Sequence, residues 1–538
     1  MFVFAALLPV VCALILMCKF KVSPGKAMPL AWLLTAIFAL CFWKTSWQTA
    51  AAASILGIFK SLDIIFIIFG AVLLLNVLRH SGAMDSINRT FSNISSDRRI
   101  QLIVIAWLFS GFVEGASGFG AAPALAAPLL AGLGFPPLIA VAASLICNTL
   151  PVPFGAVGIP TITATGAISG QLEASGVNID SFAGEMIDKF TLISGVSGLV
   201  IPLMAIILMI TVSGGHRKLR SIVEIIPLSL LSAAAYIIPW RLTALYLGPE
   251  LPSMIGAAVG LPVILLLIKS KICIPKYVWN FPDDKKNSDF PGNGIHNKPA
   301  KPAFQAWLPY AIMALTLIVL RMPGSCFKDF FNLVQIKLPE ILNIPGSNSS
   351  WNILNNPGLV PISLIAIVSS ICWRITLKEQ WKILSGTIRQ ISLSAIAIAA
   401  SVAIVQIMLF SADNSSGVPG MLDCIAFAAA KLFGKAYSFG APFIGILGTF
   451  FTGSCTVSNI LFVPLQYNTA AMLELPTTLI VALQNIGGGL GSMIRISGVI
   501  AACATVNASG KEGKIIMLNI IPVIIMGILT AICGCLAG

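Results

Sequence analysis

Glu114 is the acid in this chain best placed to do chemistry. It closes an apolar run, 107–113, and opens a glycine-rich one, Gly115-Ala-Ser-Gly-Phe-Gly-Ala121. A carboxylate at the end of an apolar run is expensive unless it is neutralised or paired. Glu114 is therefore a candidate proton-coupling group; the structural alternatives are an interface position with water access or a hydrogen bond to the glycine loop. Beside it, Ser117, Gly118 and freed backbone amides can meet a polar ligand. Asn148 and Thr149 break a second apolar run. Asparagine offers a donor and an acceptor, which suits a carboxylate or a hydroxyl. The half-helix beyond would aim its positive dipole end at an anion. Arg495 stands among Met493, Ile494 and Ile496. Three roles are open to it: two parallel hydrogen bonds to a substrate carboxylate, an internal pair with Glu114, or snorkelling to the membrane surface. Lys60 and Asp63, three residues apart, read as a structural salt bridge on one helix face.

Most of these residues lie in two stretches that repeat one another. The second runs Gly453-Ser-Cys-Thr-Val-Ser-Asn459, then Asn485, then Gly491-Ser-Met-Ile-Arg-Ile-Ser497. Gly to Asn is 33 residues in the first copy (Gly115 to Asn148) and 32 in the second (Gly453 to Asn485). Gly/Pro-broken apolar segments at matching places in two halves point to a transporter's substrate site. The second copy adds Ser454, Thr456, Ser458, Asn459, Asn485 and Arg495 as candidate substrate contacts. Arg495 has no counterpart by offset, since Ile159 stands at the matching distance from Gly155.

The elements that must position these groups are broken helices. Three glycines at 115, 118 and 120 each weaken a helix by about 1 kcal/mol relative to alanine. In a membrane, such breaks survive only when buried in protein or lining a cavity. The expected fold is an all-α polytopic membrane protein with about 12 or more membrane helices. These form two related, inverted halves with re-entrant, Gly/Pro-broken hairpins. Residues 1–269 form the first half, 270–303 a polar connecting loop, and 304–538 the second half. A weakly apolar stretch, 322–356, is expected on the outer face and partly folded.

Composition agrees. The 538 residues are 57% hydrophobic and 10% charged, against about 25% charged in soluble proteins, so a lipid bilayer must cover the surface. The net charge of +13 is clustered in short loops, including 79–99, 217–220 and 511–514. That is the positive-inside pattern. It argues against a nucleic-acid partner and puts the N-terminus outside. The segment 2–17 reads as a retained span rather than a cleaved leader. The 12 cysteines lie mostly within spans and no pair has zinc-type spacing; the 3 histidines lie in loops. Buried free cysteine behaves as a small hydrophobe. No metal, haem or other cofactor is expected; the proton is the expected coupling ion.

At Glu114–Ala121, Gly132-Leu-Gly-Phe135, Asn148-Thr149 and Gly155-Ala-Val-Gly-Ile-Pro160, the chain resembles the L-lactate permease family of bacterial 2-hydroxymonocarboxylate transporters. Weaker matches extend the resemblance nearly to the C-terminus. It implies a plasma-membrane permease for lactate or glycolate, usually with a proton, working by alternating access; a homo-oligomer is compatible with it. The resemblance also implies an acid where Cys455 stands, a serine at Val457, and Ser-Pro-Gln in place of Arg495-Ile-Ser497. The local charge changes by +2. This leaves two substrate readings: a more anionic acid (a dicarboxylate or a sulfonate) held by Arg495, or a monocarboxylate without proton coupling. A membrane enzyme is disfavoured by the absence of a nucleophile–base set or nucleotide loop, and a channel or a sensor is a weaker alternative.

Overall fold

The computed structural model describes residues 2–537 except 21, 23, 85, 88–93, 119, 215–217, 282–300, 322–333 and 357. Most of the polar connecting loop thus lies outside the described residues, as does the side chain of Asp63, so the Lys60–Asp63 pair falls there too. Lys60 Nζ donates to Gln406 Oε1 at 3.3 Å.

The described chain is a helical membrane protein. Five helical segments are long and apolar enough to cross a bilayer unaided: Ile179–Ser213, Lys218–Leu247, Pro252–Lys269, Thr477–Thr505 and Glu512–Ala537. A bent pair, Leu377–Leu393 with Ala395–Phe410, brings the number to as many as six. Shorter apolar helices, among them Ala121–Gly132, Pro137–Cys147 and Tyr437–Thr452, flank breaks in the chain. Of the 322–356 stretch, the described part holds a two-stranded antiparallel hairpin, Gln335–Leu338 with Ser349–Asn352. Trp351 of this hairpin stacks on Phe66 at 5.2 Å between centroids.

The two repeats have the same order of elements. In the first, the helix Ser110–Ser117 ends at a break, Ala121–Gly132 follows, then Pro137–Cys147, a second break, and Gly155–Gly166. In the second, Tyr437–Thr452, Cys455–Met472, Thr477–Gly491 and Ile496–Thr505 follow with breaks at the same two places. A long helix precedes each set. These two, Trp47–Ser81 and Leu377–Phe410, pack on each other. Gly57 allows their backbones to meet, since a side chain there would overlap Ala403, which is how small residues serve helix packing in membranes.

Packing between the repeats is reciprocal. Gly155–Gly166 packs on Cys455–Met472 of the other repeat, and Ile496–Thr505 packs on Ala121–Gly132. Pro137–Cys147 meets Glu512–Ala537, and Thr477–Gly491 meets Ile179–Gly198. In each repeat the helix after the second break thus packs on the helix after the other repeat's first break. The half-helices therefore belong to the opposite repeat's core as much as to their own.

The first hairpin is also anchored at its turn. Arg98 Nη1 donates to the Leu133 carbonyl at 2.5 Å. The carboxylate of Asp97 accepts from Arg99 Nε at 3.0 Å and from Trp279 N at 3.1 Å. Arg99 in turn donates to the carbonyls of Ser221 and Tyr277, each at 2.6 Å. This buried pair is satisfied on all sides, the condition under which a buried ion pair holds a structure together.

Candidate functional site

The four breaks converge on one cavity. Its lining takes Gly118 from the first break, Val152 from the second, Gly453 and Ser454 from the third, and Arg495 from the fourth. Glu114, Gly155, Ala156, Pro160, Cys455 and Thr456 complete it. Each break has a local cause. Gly118 (φ +62) and Gly120 (φ +87) adopt conformations that side chains resist. A π-helical stretch, Ile103–Phe109, precedes them, a feature frequent near functional sites. Pro151 and Pro153 lie around the 3₁₀ turn Val152–Phe154. Gly453 (φ +71) ends Tyr437–Thr452, and Ser454 caps the next helix by accepting from Val457 N at 3.5 Å.

Two half-helix N-termini open on this cavity, through Gly155–Ala156 and Cys455–Thr456. Such ends carry free N–H groups and a partial positive charge, and bind anions. Arg495 stands at the N-cap position of a third, Ile496–Thr505, and its side chain makes no capping bond there. The cavity is about 40 Å³ in this conformation, room for roughly two or three waters.

Arg495 is only 4% exposed, so snorkelling is excluded. Its Nε and Nη2 have no hydrogen-bond partner. They are sealed against two glycines: a Cβ on Gly498 would overlap Nε, and one on Gly120 would overlap Nη2. Glu114 is 1% exposed and its Oε2 also lacks a partner. The two groups form no ion pair; they face the same cavity from opposite repeats, within each other's field. The Glu114 carboxylate is held from the side of the glycine loop, by the backbone of Gly120 and Ala122, and buried polar atoms left without a partner are rare because their desolvation is not repaid. An anion for the arginine and a proton for the acid would satisfy both.

Of the residues singled out from sequence, Glu114, Gly118, Ser454, Thr456 and Arg495 line the cavity. The Ser117 side chain lies outside the described residues. Asn148 is buried beside Glu114 and is not among the residues that line the cavity. Thr149 turns its hydroxyl onto the Ile146 carbonyl at 2.8 Å. Ser458 accepts from Gln484 Nε2 at 3.1 Å, inside a buried glutamine network with Gln466.

Asn459 and Asn485 bind each other and the opposite repeat. Asn459 Nδ2 donates to Asn485 Oδ1 at 2.8 Å and to the Pro160 carbonyl at 3.0 Å. Asn485 Nδ2 donates to Thr161 Oγ1 at 2.9 Å, and Thr161 donates to the Pro153 carbonyl at 2.8 Å. Thr161 was not singled out from sequence; a hydroxyl one residue after a proline inside a broken helix was the available signal. Asn519 was missed as well. It donates to the Met493 carbonyl at 2.9 Å, which the fourth break leaves free, and thereby supports the segment that carries Arg495.

By position in the fold the counterpart of Arg495 is Phe154, not Ile159. Arg495 immediately precedes its half-helix, as Phe154 precedes Gly155, whereas Ile159 lies inside its helix. The first repeat's break is longer because it contains the 3₁₀ turn, so counting from Gly155 shifts the correspondence.

Comparison with known proteins agrees with this architecture. The sequence profile described as L-lactate permease matches residues 2–537. A putative L-lactate permease of Haemophilus influenzae is 31% identical, covering 98% of this chain and 97% of its own length. The L-lactate permease of Bacillus subtilis is 30% identical over 90% of this chain and 86% of its own. The glycolate permease GlcA of Escherichia coli is 27% identical over 95% and 91%. The chain is thus a transport protein of the plasma membrane and not an enzyme. It belongs to the L-lactate permease family.

Proposed function

We propose that this protein carries lactate and glycolate across the plasma membrane by alternating access, one proton accompanying each monocarboxylate. The observation that carries this reading is the placement of Glu114 and Arg495 on one cavity, both buried, not bonded to each other, and each with a buried polar atom that lacks a partner. The names of the relatives supply the substrate class.

Charge balance gives the coupling. Net charge is costly inside a membrane, so the site crosses it most readily when its buried charges sum to zero. Empty, the Glu114 carboxylate balances Arg495. Loaded, the substrate carboxylate balances Arg495, and Glu114 must hold a proton. Substrate without a proton leaves one uncompensated negative charge and cannot move. The half-helix N-termini at Gly155 and Cys455 add to the attraction for the anion. Ser454 and Thr456 offer hydroxyls for the substrate's 2-hydroxyl.

Uptake of labelled L-lactate into proteoliposomes tests the reading, with glycolate and dicarboxylates as competitors. Saturable uptake blocked by glycolate is expected. A more anionic acid is the second reading, favoured by Arg495 and two helix N-termini facing a single acid. The small cavity favours the monocarboxylate. Inhibition by a dicarboxylate at lower concentration than by lactate would reverse that preference.

A further inference from the structure

Nine non-glycine residues have positive φ among the described residues. Eight of them lie in connections or at helix C-terminal ends, where a left-handed residue is ordinary. The ninth is Ala156, at φ +47, near the N-terminus of the half-helix Gly155–Gly166. This is a position where glycine is the undemanding choice, in a chain with 46 glycines. A strained residue held at a functional site calls for a functional reason. Ala156 is 2% exposed, and it lines the cavity.

Its methyl has a definite place. A Cβ on Gly118 would come within 2.5 Å of the Ala156 Cβ. The methyl therefore fills the space beside the first break and stands in the cavity wall. That wall has two characters. Glu114, Arg495, Ser454 and Thr456 are polar; Val152, Ala156 and Pro160 are apolar. A 2-hydroxy acid has the same division. Its carboxylate and hydroxyl belong with the polar groups, and its alkyl group must face the apolar wall, as oriented ligands do in small pockets.

We propose that Ala156 limits the length of the alkyl group the site accepts, its methyl closing the apolar end of the cavity at the cost of a left-handed backbone. This rests on the transport reading above. Ala156→Gly removes the methyl and relieves the backbone, so the variant is expected to fold and to melt no lower than the parent.

The test is competition against labelled lactate uptake in proteoliposomes. Unlabelled glycolate, lactate, 2-hydroxybutyrate and 2-hydroxyvalerate are compared in the parent and in Ala156→Gly. The two longer acids are expected to gain about tenfold relative to glycolate, the lower end of what one methylene is worth in an apolar pocket. Unchanged ratios in a variant that melts normally overturn the proposal. Absence of lactate uptake by the parent protein is a different failure: it removes the transport reading, and the chain-length proposal with it.

Discussion

The Nη2 of Arg495 rests against Gly120, in the space where a Cβ would stand. One residue belongs to the last break of the second repeat, the other to the first break of the first. The contact fixes where the positive charge sits and ties it to the opposite half of the molecule. Gly120 is required twice over, because its φ of +87 also excludes most side chains.

Gly120→Ala is therefore expected to displace the guanidinium. Lactate uptake should fall by at least about tenfold. The left-handed backbone adds roughly 1–2 kcal/mol of destabilisation. Uptake kinetics read beside a melting curve separate the two effects. A folded variant with unaltered KM would show that the contact does not position Arg495.

Arg495→Gln removes the proposed partner of the anion. Hydrogen bonds to charged groups are worth about 1.5–3 kcal/mol, so KM for lactate should rise on the order of 10- to 100-fold. Arg495→Lys should recover part of this, because lysine keeps the charge but not the planar fork. Lactate uptake with unchanged affinity in Arg495→Gln would remove Arg495 from the substrate site.

The network between repeats makes a stability prediction. Asn485→Ala takes a donor from Thr161 and an acceptor from Asn459. Leaving buried groups unsatisfied costs about 1–3 kcal/mol. Thr161→Val should cost less on top of Asn485→Ala than alone, as groups in one network are not additive. Full additivity in a thermal-unfolding double-mutant cycle would deny the link.

Legibility from sequence followed locality. Glycine and proline spacing marked all four breaks, because a break depends on residues close in the chain. Sequence spacing set Gly453 against Gly115, whereas in the fold its counterpart is Gly118, because each of these two glycines ends the first helix of its repeat. What each asparagine binds was not legible. Asn459 and Asn485 look like ligand groups in sequence, yet Asn459 donates to Asn485 and to the Pro160 carbonyl, and Asn485 donates to Thr161. That choice depends on how the repeats exchange their half-helices, which no local pattern encodes. The strain at Ala156 was also hidden: its neighbours Gly155 and Gly158 advertise a turn, and alanine does not. Arg495 was recognisable as out of place. Its burial against Gly120 and Gly498 needed the fold.

The hairpin anchor gives a further test. Asp97→Asn leaves Arg99 (1% exposed) with its carbonyl partners but without its counter-charge. Removing one member of a buried ion pair costs about 3–5 kcal/mol. The variant should melt markedly lower, and the segment at Tyr277–Trp279, held by Arg99 and Asp97, should become more sensitive to protease. An unchanged melting temperature would mean that the pair contributes nothing to the fold.

In the proposed coupling, the proton travels on Glu114 while the carboxylate balances Arg495. The direct measurement follows proton and lactate uptake together in proteoliposomes, in the parent protein and in Glu114→Gln. The account predicts proton uptake equal to lactate uptake in the parent. In Glu114→Gln, proton movement should be abolished while lactate exchange continues, because the neutral amide mimics the loaded, protonated acid. Proton uptake that remains stoichiometric with lactate in Glu114→Gln would contradict it.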